Sequence, residues 1–211
     1  VDVEERRVPV TLTVPGIHNA RNATAALLAA VMLGVDVECA AAAATSFLGA
    51  ARRFQIRGSV NQVTVIDDYA HHPTEIAALL DAARRRYPEA GIHVIFQPHL
   101  LSRTMFFARE FAEALAKADD VIVTGIFPAR EKQEDFPTVN PDTIVNEAVK
   151  LEHEPADDWI RGVDDMRTAA QMMVMRAHHG DVIFTVGAGD ITQMDPVILH
   201  ALEAHRWDCA R

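Results

Sequence analysis

The chain predicts an α/β fold: a mostly parallel sheet with helices on both faces, entered through an antiparallel hairpin and preceded by a piece of another domain. Three observations predict it. From Arg52 onward, short apolar, β-branched runs alternate with segments of helical length, the pattern of right-handed βαβ crossovers. Each apolar run is followed by a loop of polar or glycine residues, the usual layout of an α/β site. Hydrophobic residues make up 49% of the 211, enough to fill a core.

The elements follow in order. Val8 to Val14 alternates as a strand does, and Pro15-Gly16 then turns into an alanine-rich helix opening at His18–Ala23 and closed by Gly34. A second alanine-rich helix is expected from Glu38 to about Leu48, with Gly49 as its C-cap glycine. Residues 1–51 thus read as the remnant of one domain, and residues 52–211 as a second domain. Within the second, Ile56 to Val60 and Val63 to Ile66 flank Asn61-Gln62 as a hairpin. Pro73 opens a helix over 74–87, as proline does in a first turn. Then come strand His93–Phe96, helix 104–117, strand Val121–Thr124 and helix 141–150. A weaker strand near Trp159-Ile160, helix 163–178, strand Asp181–Val186 and a helix from Ile191 complete the pattern.

Composition narrows the function. The net charge of −10 argues against a nucleic-acid partner, because a phosphate backbone needs a basic face. No apolar run approaches the ~20 residues that span a bilayer, so no membrane insertion is expected. The first residues show neither an initiator Met nor a leader pattern and read as the interior of a longer protein. Cys39 and Cys209 lie far apart without metal or redox spacing, which points to a reducing cytoplasmic setting. Arg84, Arg85 and Arg86 fall where a helix ends and suit its dipole. Arg52, Arg53 and Arg57 have no such reason and suggest an anionic small ligand.

Four loops should line one sheet edge: Asp67–Pro73, Gln97–Thr104, Gly125–Lys132 and Gly187–Asp190. The first holds Asp67, Asp68, Tyr69, His71, His72 and Glu75. Its side chains could ligate a metal, cap a helix or contact a substrate or nucleotide. Adjacent side chains seldom face one ion, so no resident metal is assigned. In the second loop Ser102 is a candidate N-cap, whereas Arg103 at a helix start opposes the dipole unless an anion is bound. Gly187 and Gly189 could make a tight turn or a binding loop. No G-x-x-x-x-G-K-[ST] occurs, so any phosphate loop for ATP is expected outside this chain.

His18-Asn19-x-x-Asn22-Ala23, Arg53-Phe54, Asp67-Asp68-Tyr69-Ala70-His71-His72-Pro73-Thr74-Glu75, Phe96-Gln97-Pro98-His99, Ser102-Arg103-Thr104, Pro128-Ala129-Arg130-Glu131 and Gly187-Ala188-Gly189-Asp190 occur in this order. Together they resemble the signature of the Mur ligases over essentially the whole chain. The resemblance implies that residues 1–51 are the end of a central ATP-binding domain and 52–211 a Rossmann-like C-terminal domain, the N-terminal and remaining central domains being partners within one parent chain. It also implies a cytoplasmic enzyme of peptidoglycan synthesis that uses ATP and Mg, the latter held mainly by the rest of the parent, to join L-alanine to UDP-N-acetylmuramate through an acyl phosphate. This piece alone is then expected to be inactive. The alternatives are a murein peptide ligase of cell-wall recycling, or a non-catalytic nucleotide-binding module of the same fold. By resemblance Asn22, Arg53 and Asp68 bind the nucleotide, while Tyr69, His71 and Arg103 face the reacting groups. Arg130, Gly187 and Gly189 are candidates for the substrate. Many relatives carry arginine where this chain has Leu100, so nothing assigned to that arginine carries over.

Overall fold

The computed structural model describes residues 2–3, 6–14, 16–151, 153 and 158–205; Pro15 of the expected turn and Cys209 lie outside them. A two-residue antiparallel pair, β1 (Asp2–Val3) and β2 (Arg6–Arg7), precedes helices α1 (Ile17–Met32) and α2 (Val37–Thr45). Asp36 caps α2 by accepting hydrogen bonds from the N–H groups of Glu38 and Cys39. Val8, Leu27, Val37, Ala40 and Ala41 form a small core beside it.

Two expectations fail here. Residues 8–14 alternate in polarity but form no strand; Val8 is buried against the helices instead, and Thr13 donates to the carbonyl of Phe47. Alternation marks one buried side of an extended segment whether or not a partner strand exists. The second helix stops at Thr45, short of Leu48. There the hydroxyls of Thr45 and Ser46 donate back to the carbonyls of Ala41 and Ala43, and Gly49 takes its positive φ of 103° in the connection beyond.

The sheet follows. Strands β3 (Gln55–Val60) and β4 (Val63–Asp68) pair antiparallel around Asn61 and Gln62, whose φ values of 50° and 65° make the left-handed turn a two-residue hairpin needs. Helix α3 (Pro73–Arg86) leads to β5 (Ile92–Phe96). Helices α4 (Leu101–Phe106) and α5 (Ala108–Leu115) then precede β6 (Asp120–Thr124). Helix α6 (Asp142–Ala148), β7 (Ile160–Val163), α7 (Met166–Arg176), β8 (Val182–Val186), a 3-10 turn at Ile191–Met194 and α8 (Asp195–Ala204) complete the order. The expected single helix 104–117 is two, broken at Phe107. Buried Leu101, Thr104, Ala108, Phe111, Ala112 and Leu115 keep one three-to-four spacing through the break, so periodicity cannot reveal it. Helix 163–178 is trimmed to 166–176, with Asp165 as its cap.

The six strands lie in the order β3-β4-β8-β5-β6-β7, all parallel except β3. Strand residues divide between the faces with period two. Ile66, Val94, Phe96, Val121, Val123 and Phe184 pack with α3, α5 and α6, whereas Val63, Val65, Ile95, Ile122 and Ile183 pack with α7 and α8. The chain leaves β4 and β5 toward the first face and β8, lying between them, toward the second. Neighbouring strands whose connections diverge open a crevice at their carboxyl ends.

Candidate functional site

Strand β4 runs two residues further than expected, so Asp67 and Asp68 are its last residues and face opposite ways. Asp68 turns toward the connection from α2. Its Oδ2 accepts from the N–H of Phe54 at 2.7 Å and its Oδ1 from that of Ala70 at 2.8 Å. Those bonds hold a segment that would not stand alone, since Arg52 and Phe54 have φ values of 57° and 47°, uncommon for residues with a Cβ. The N–H of Tyr69 also donates to the Arg52 carbonyl at 2.7 Å. Burial raises the Asp68 pKa, against the two backbone bonds and the charge of Arg53.

The three arginines grouped in the sequence separate in space. Arg52 gives Nε to Asp67 Oδ2 at 3.1 Å and its other nitrogens to the carbonyls of Gly187 (2.6 Å) and Gly189 (3.1 Å). Arg57 pairs with buried Asp195 at 3.0 Å. Burial, with Asp67 nearby, pushes Asp195 up to about 6 against a hydrogen bond from Thr185. Arg53 alone keeps a loose partner, Glu75, at 4.0 Å. The expectation that all three serve an anionic ligand is therefore corrected: two are structural clasps, because buried carboxylates across the hairpin and on α8 claim them.

Arg53 and Asp68 line a cavity of about 930 Å³ between the α1–α2 pair and the β4 loop. Asn22 of α1, Thr74 and Glu75 add polar groups to its wall, and Leu12, Val14, Phe47 and Phe54 add apolar ones. Residues 31 and 46 positions apart are thus gathered at one concave surface. An apolar slot with a few polar edges has the character of a small-molecule site.

Beyond the cavity the β4 loop turns through Tyr69, His71 and His72. His72 caps α3, its ring nitrogen accepting from Thr74 N–H at 3.4 Å, which is one of the roles open to the side chains of this loop. His71 Nδ1 lies 3.0 Å from the Tyr69 carbonyl, which can only accept, so Nδ1 carries the proton. The ring meets those of Tyr69 and His99 edge-on, at 5.4 and 5.9 Å between centroids. Arg103 reaches the same loop, Nη1 to the His71 carbonyl at 3.4 Å.

His99 was not singled out from the sequence. It stacks on Phe127 at 5.6 Å, its Nδ1 is buried without a hydrogen-bond partner, and its pKa is lowered by burial and then by Arg103, His71 and Arg130. The bond pair joining its neighbours to Phe127 prolongs the β5–β6 pairing past both strands. Exposed Arg130, after Ala129 at φ 53°, faces this group closely enough for its charge to act on His99.

Ser102 is not an N-cap. That position belongs to Leu100, buried and at φ 75°, and Ser102 instead gives both its N–H and its hydroxyl to Glu131. A serine at a strand–helix junction satisfies either role, and only the approach of the β6 loop selects one. Gly187 and Gly189 acquire a packing reason. A Cβ on Gly187 would come within 2.5 Å of the Gln97 carbonyl, and one on Gly189 would strike the Gln97 amide and the Phe127 ring. Gln97 in turn bridges to Asp190 (2.7 Å) and to Ile191 N–H (3.0 Å). Among the described residues no group of three His, Cys, Asp or Glu is placed to hold a metal ion, and no helix is long and apolar enough to cross a membrane.

Residues 52–189 match the family described as Mur ligase, glutamate ligase domain. The chain is 84% identical over 206 residues, 98% of its length, to the UDP-N-acetylmuramate–L-alanine ligase of Bifidobacterium adolescentis, of which it spans 40%. It is 46% identical over 197 residues to the ligase of the same name from Renibacterium salmoninarum, again spanning 40% of that protein. Its fold is similar to that of the UDP-N-acetylmuramate-alanine ligase of Thermotoga maritima, with a TM-score of 0.75 and 28% identity over 95% of this chain and 41% of that one. It also resembles a murein peptide ligase from Psychrobacter arcticus, with a TM-score of 0.71 and 26% identity over 98% of this chain and 41% of that one.

Proposed function

The chain belongs to the Mur ligase family, and on that premise we propose that it forms the carboxyl-terminal part of an ATP-dependent ligase joining L-alanine to UDP-N-acetylmuramate in the cytoplasm. Since it spans about 40% of its named relatives, the activity is that of a longer protein carrying this sequence. We place the domain boundary at residues 51 and 52, which the start of the family match supports. One observation carries the reading: Asn22, Arg53 and Asp68, expected to bind nucleotide, line one cavity, and Tyr69 and His71 stand on the loop that leaves it after Asp68.

In this reading Asn22, Arg53 and Asp68 hold the adenosine end of ATP, and the cavity's size and mixed polarity fit it. ATP supplies the phosphoryl group that activates the muramoyl carboxylate; Mg and the phosphate chain are held mainly by the rest of the parent. His71, with Nδ1–H fixed on the Tyr69 carbonyl, presents the lone pair of Nε2, suited to accept a proton from the attacking alanine amine. Arg103 supplies fixed positive charge for the developing oxyanion or a substrate carboxylate. Arg130, exposed on the neighbouring loop, is a contact for the amino-acid carboxylate. The glycines 187 and 189 serve substrate binding by shaping the loop on Gln97.

The test is ligation by a full-length enzyme carrying this sequence, with UDP-N-acetylmuramate, Mg-ATP and either L-alanine, glycine, L-serine or the cell-wall tripeptide. Amide, ADP and phosphate should form fastest with L-alanine. Preference for the tripeptide would replace this reading with the recycling ligase. The isolated chain should unfold cooperatively yet release no phosphate above background.

A further inference from the structure

The Glu75 side chain lines the nucleotide cavity and also bonds His71. It occupies the third position of α3, behind the His72 cap and Pro73. A glutamate there ordinarily reaches back to the N–H of the capping residue. Here Oε2 goes one residue further, accepting from His71 N–H at 3.0 Å. The same oxygen lies 3.4 Å from His71 Nδ1, whose hydrogen is already directed at the Tyr69 carbonyl. Oε1 points the other way, 4.0 Å from Arg53 Nη1 on the cavity wall. The pair is loose, and the Arg53 side chain is 45% exposed, so Arg53 is free to be fixed by whatever fills the cavity.

We propose that Glu75 is a positioning residue that couples occupancy of the nucleotide cavity to the orientation of the His71 ring, through Arg53 on one carboxylate oxygen and His71 on the other. The proposal rests on the ligase reading above for the identity of the ligand and for the work His71 does. Two acceptors around Nδ1 keep the proton there and the lone pair on Nε2. A bound adenine nucleotide fixes Arg53, Arg53 fixes the carboxylate, and the carboxylate holds the imidazole in one tautomer and one rotamer. A nucleotide-free enzyme then leaves His71 less well aimed, which ties proton acceptance to the presence of ATP. The plain alternative is that Glu75 only starts a helix.

The experiment uses the full-length enzyme with Glu75→Ala and Glu75→Gln, reading steady-state kinetics, thermal midpoint and the imidazole 15N signals of His71 with and without ADP. In the wild type, ADP should sharpen and shift the His71 signals toward the Nδ1–H form. Glu75→Ala should lose that response and lower kcat by roughly tenfold or more, with the KM for ATP changed less than about twofold. Glu75→Gln keeps an acceptor for His71 but no charge for Arg53. It should recover only part of kcat and still lack the ADP response. If both variants lose only thermal stability, with kcat and the His71 response intact, Glu75 is a helix-start residue and the proposal falls; the glutamine variant serves should the alanine variant not fold. Failure of the wild type to ligate L-alanine, with the ADP response still dependent on Glu75, would remove the ligase reading and leave the coupling standing.

Discussion

The two edges of the same parallel sheet carry the same residue types in opposite states. At the amino edge, His93 is the second residue of β5, Asp120 opens β6 and Asp181 precedes β8. His93 gives Nε2 to Asp181 at 2.8 Å and Nδ1 to Asp120 at 3.3 Å, and only an imidazolium can donate to both. Asp120 also takes Arg161 at 2.8 Å and Arg176 at 2.9 Å. Burial opposes charge on His93, yet its hydrogen bonds to the two carboxylates raise its pKa to about 9. At the carboxyl edge, His99 keeps a buried nitrogen without a partner, and among the described residues Nε2 of His71 has none either. The imidazole and carboxylates of one edge find their partners within the chain, although Nε of Arg161 there is buried without a hydrogen-bond partner. The imidazoles of the other each keep a nitrogen without one, and a fully partnered imidazole marks a structural cluster where an incompletely partnered one marks a candidate site.

Substitutions should follow that division. The largest effect is expected at the open edge. Arg103→Ala in a full-length enzyme should lower turnover by about 10²-fold or more, roughly 3 kcal/mol of transition-state stabilisation, with the thermal midpoint nearly unchanged. A fall in midpoint at normal turnover would transfer Arg103 to the structural side. At the closed edge, His93→Ala leaves two buried carboxylates short of a partner. It should cost about 3 kcal/mol in denaturant unfolding while turnover per folded molecule stays the same.

Acidity sharpens the contrast by a smaller amount. The folded pKa of His93 lies above its unfolded value of 6.5, so the folded state binds the proton more tightly. Its stabilisation is complete below about 6.5 and is lost as the pH rises through about 9. Between pH 7 and 10 this should remove about 2 kcal/mol, and the slope should vanish in His93→Gln. Ser102→Ala is the smallest case. It removes one hydroxyl bond to Glu131, for about 1 kcal/mol of stability and less than a twofold change in turnover. Equal losses of turnover in Ser102→Ala and Arg103→Ala at equal folding would show that the β5 loop acts as one unit.

Much of this architecture was legible beforehand because it depends on local periodicity. The period-two faces of β4, β5, β6 and β8, the Asn61-Gln62 turn, the Pro73 helix start and the His72 cap each follow from neighbours a few positions away. So did the gathering of Asp68, His71 and Arg103 at one edge, since parallel strands place every following loop there. Residues 8–14 mark the limit of local periodicity: an alternating segment is a strand only if another strand lies beside it, and none does among the described residues.

By itself the sequence determined the order of elements, the family signature and the edge at which the candidate residues meet, because covalent connectivity and side-chain period fix these things. Tertiary structure alone decided which of three neighbouring arginines remains available, that Ser102 bonds Glu131 rather than capping a helix, and that Gly187 and Gly189 fit against Gln97. Arg52 finds its carbonyl partners 135 and 137 residues away. No local pattern encodes such a distance; the charge is taken up by whichever buried acceptors the sheet order brings beside it.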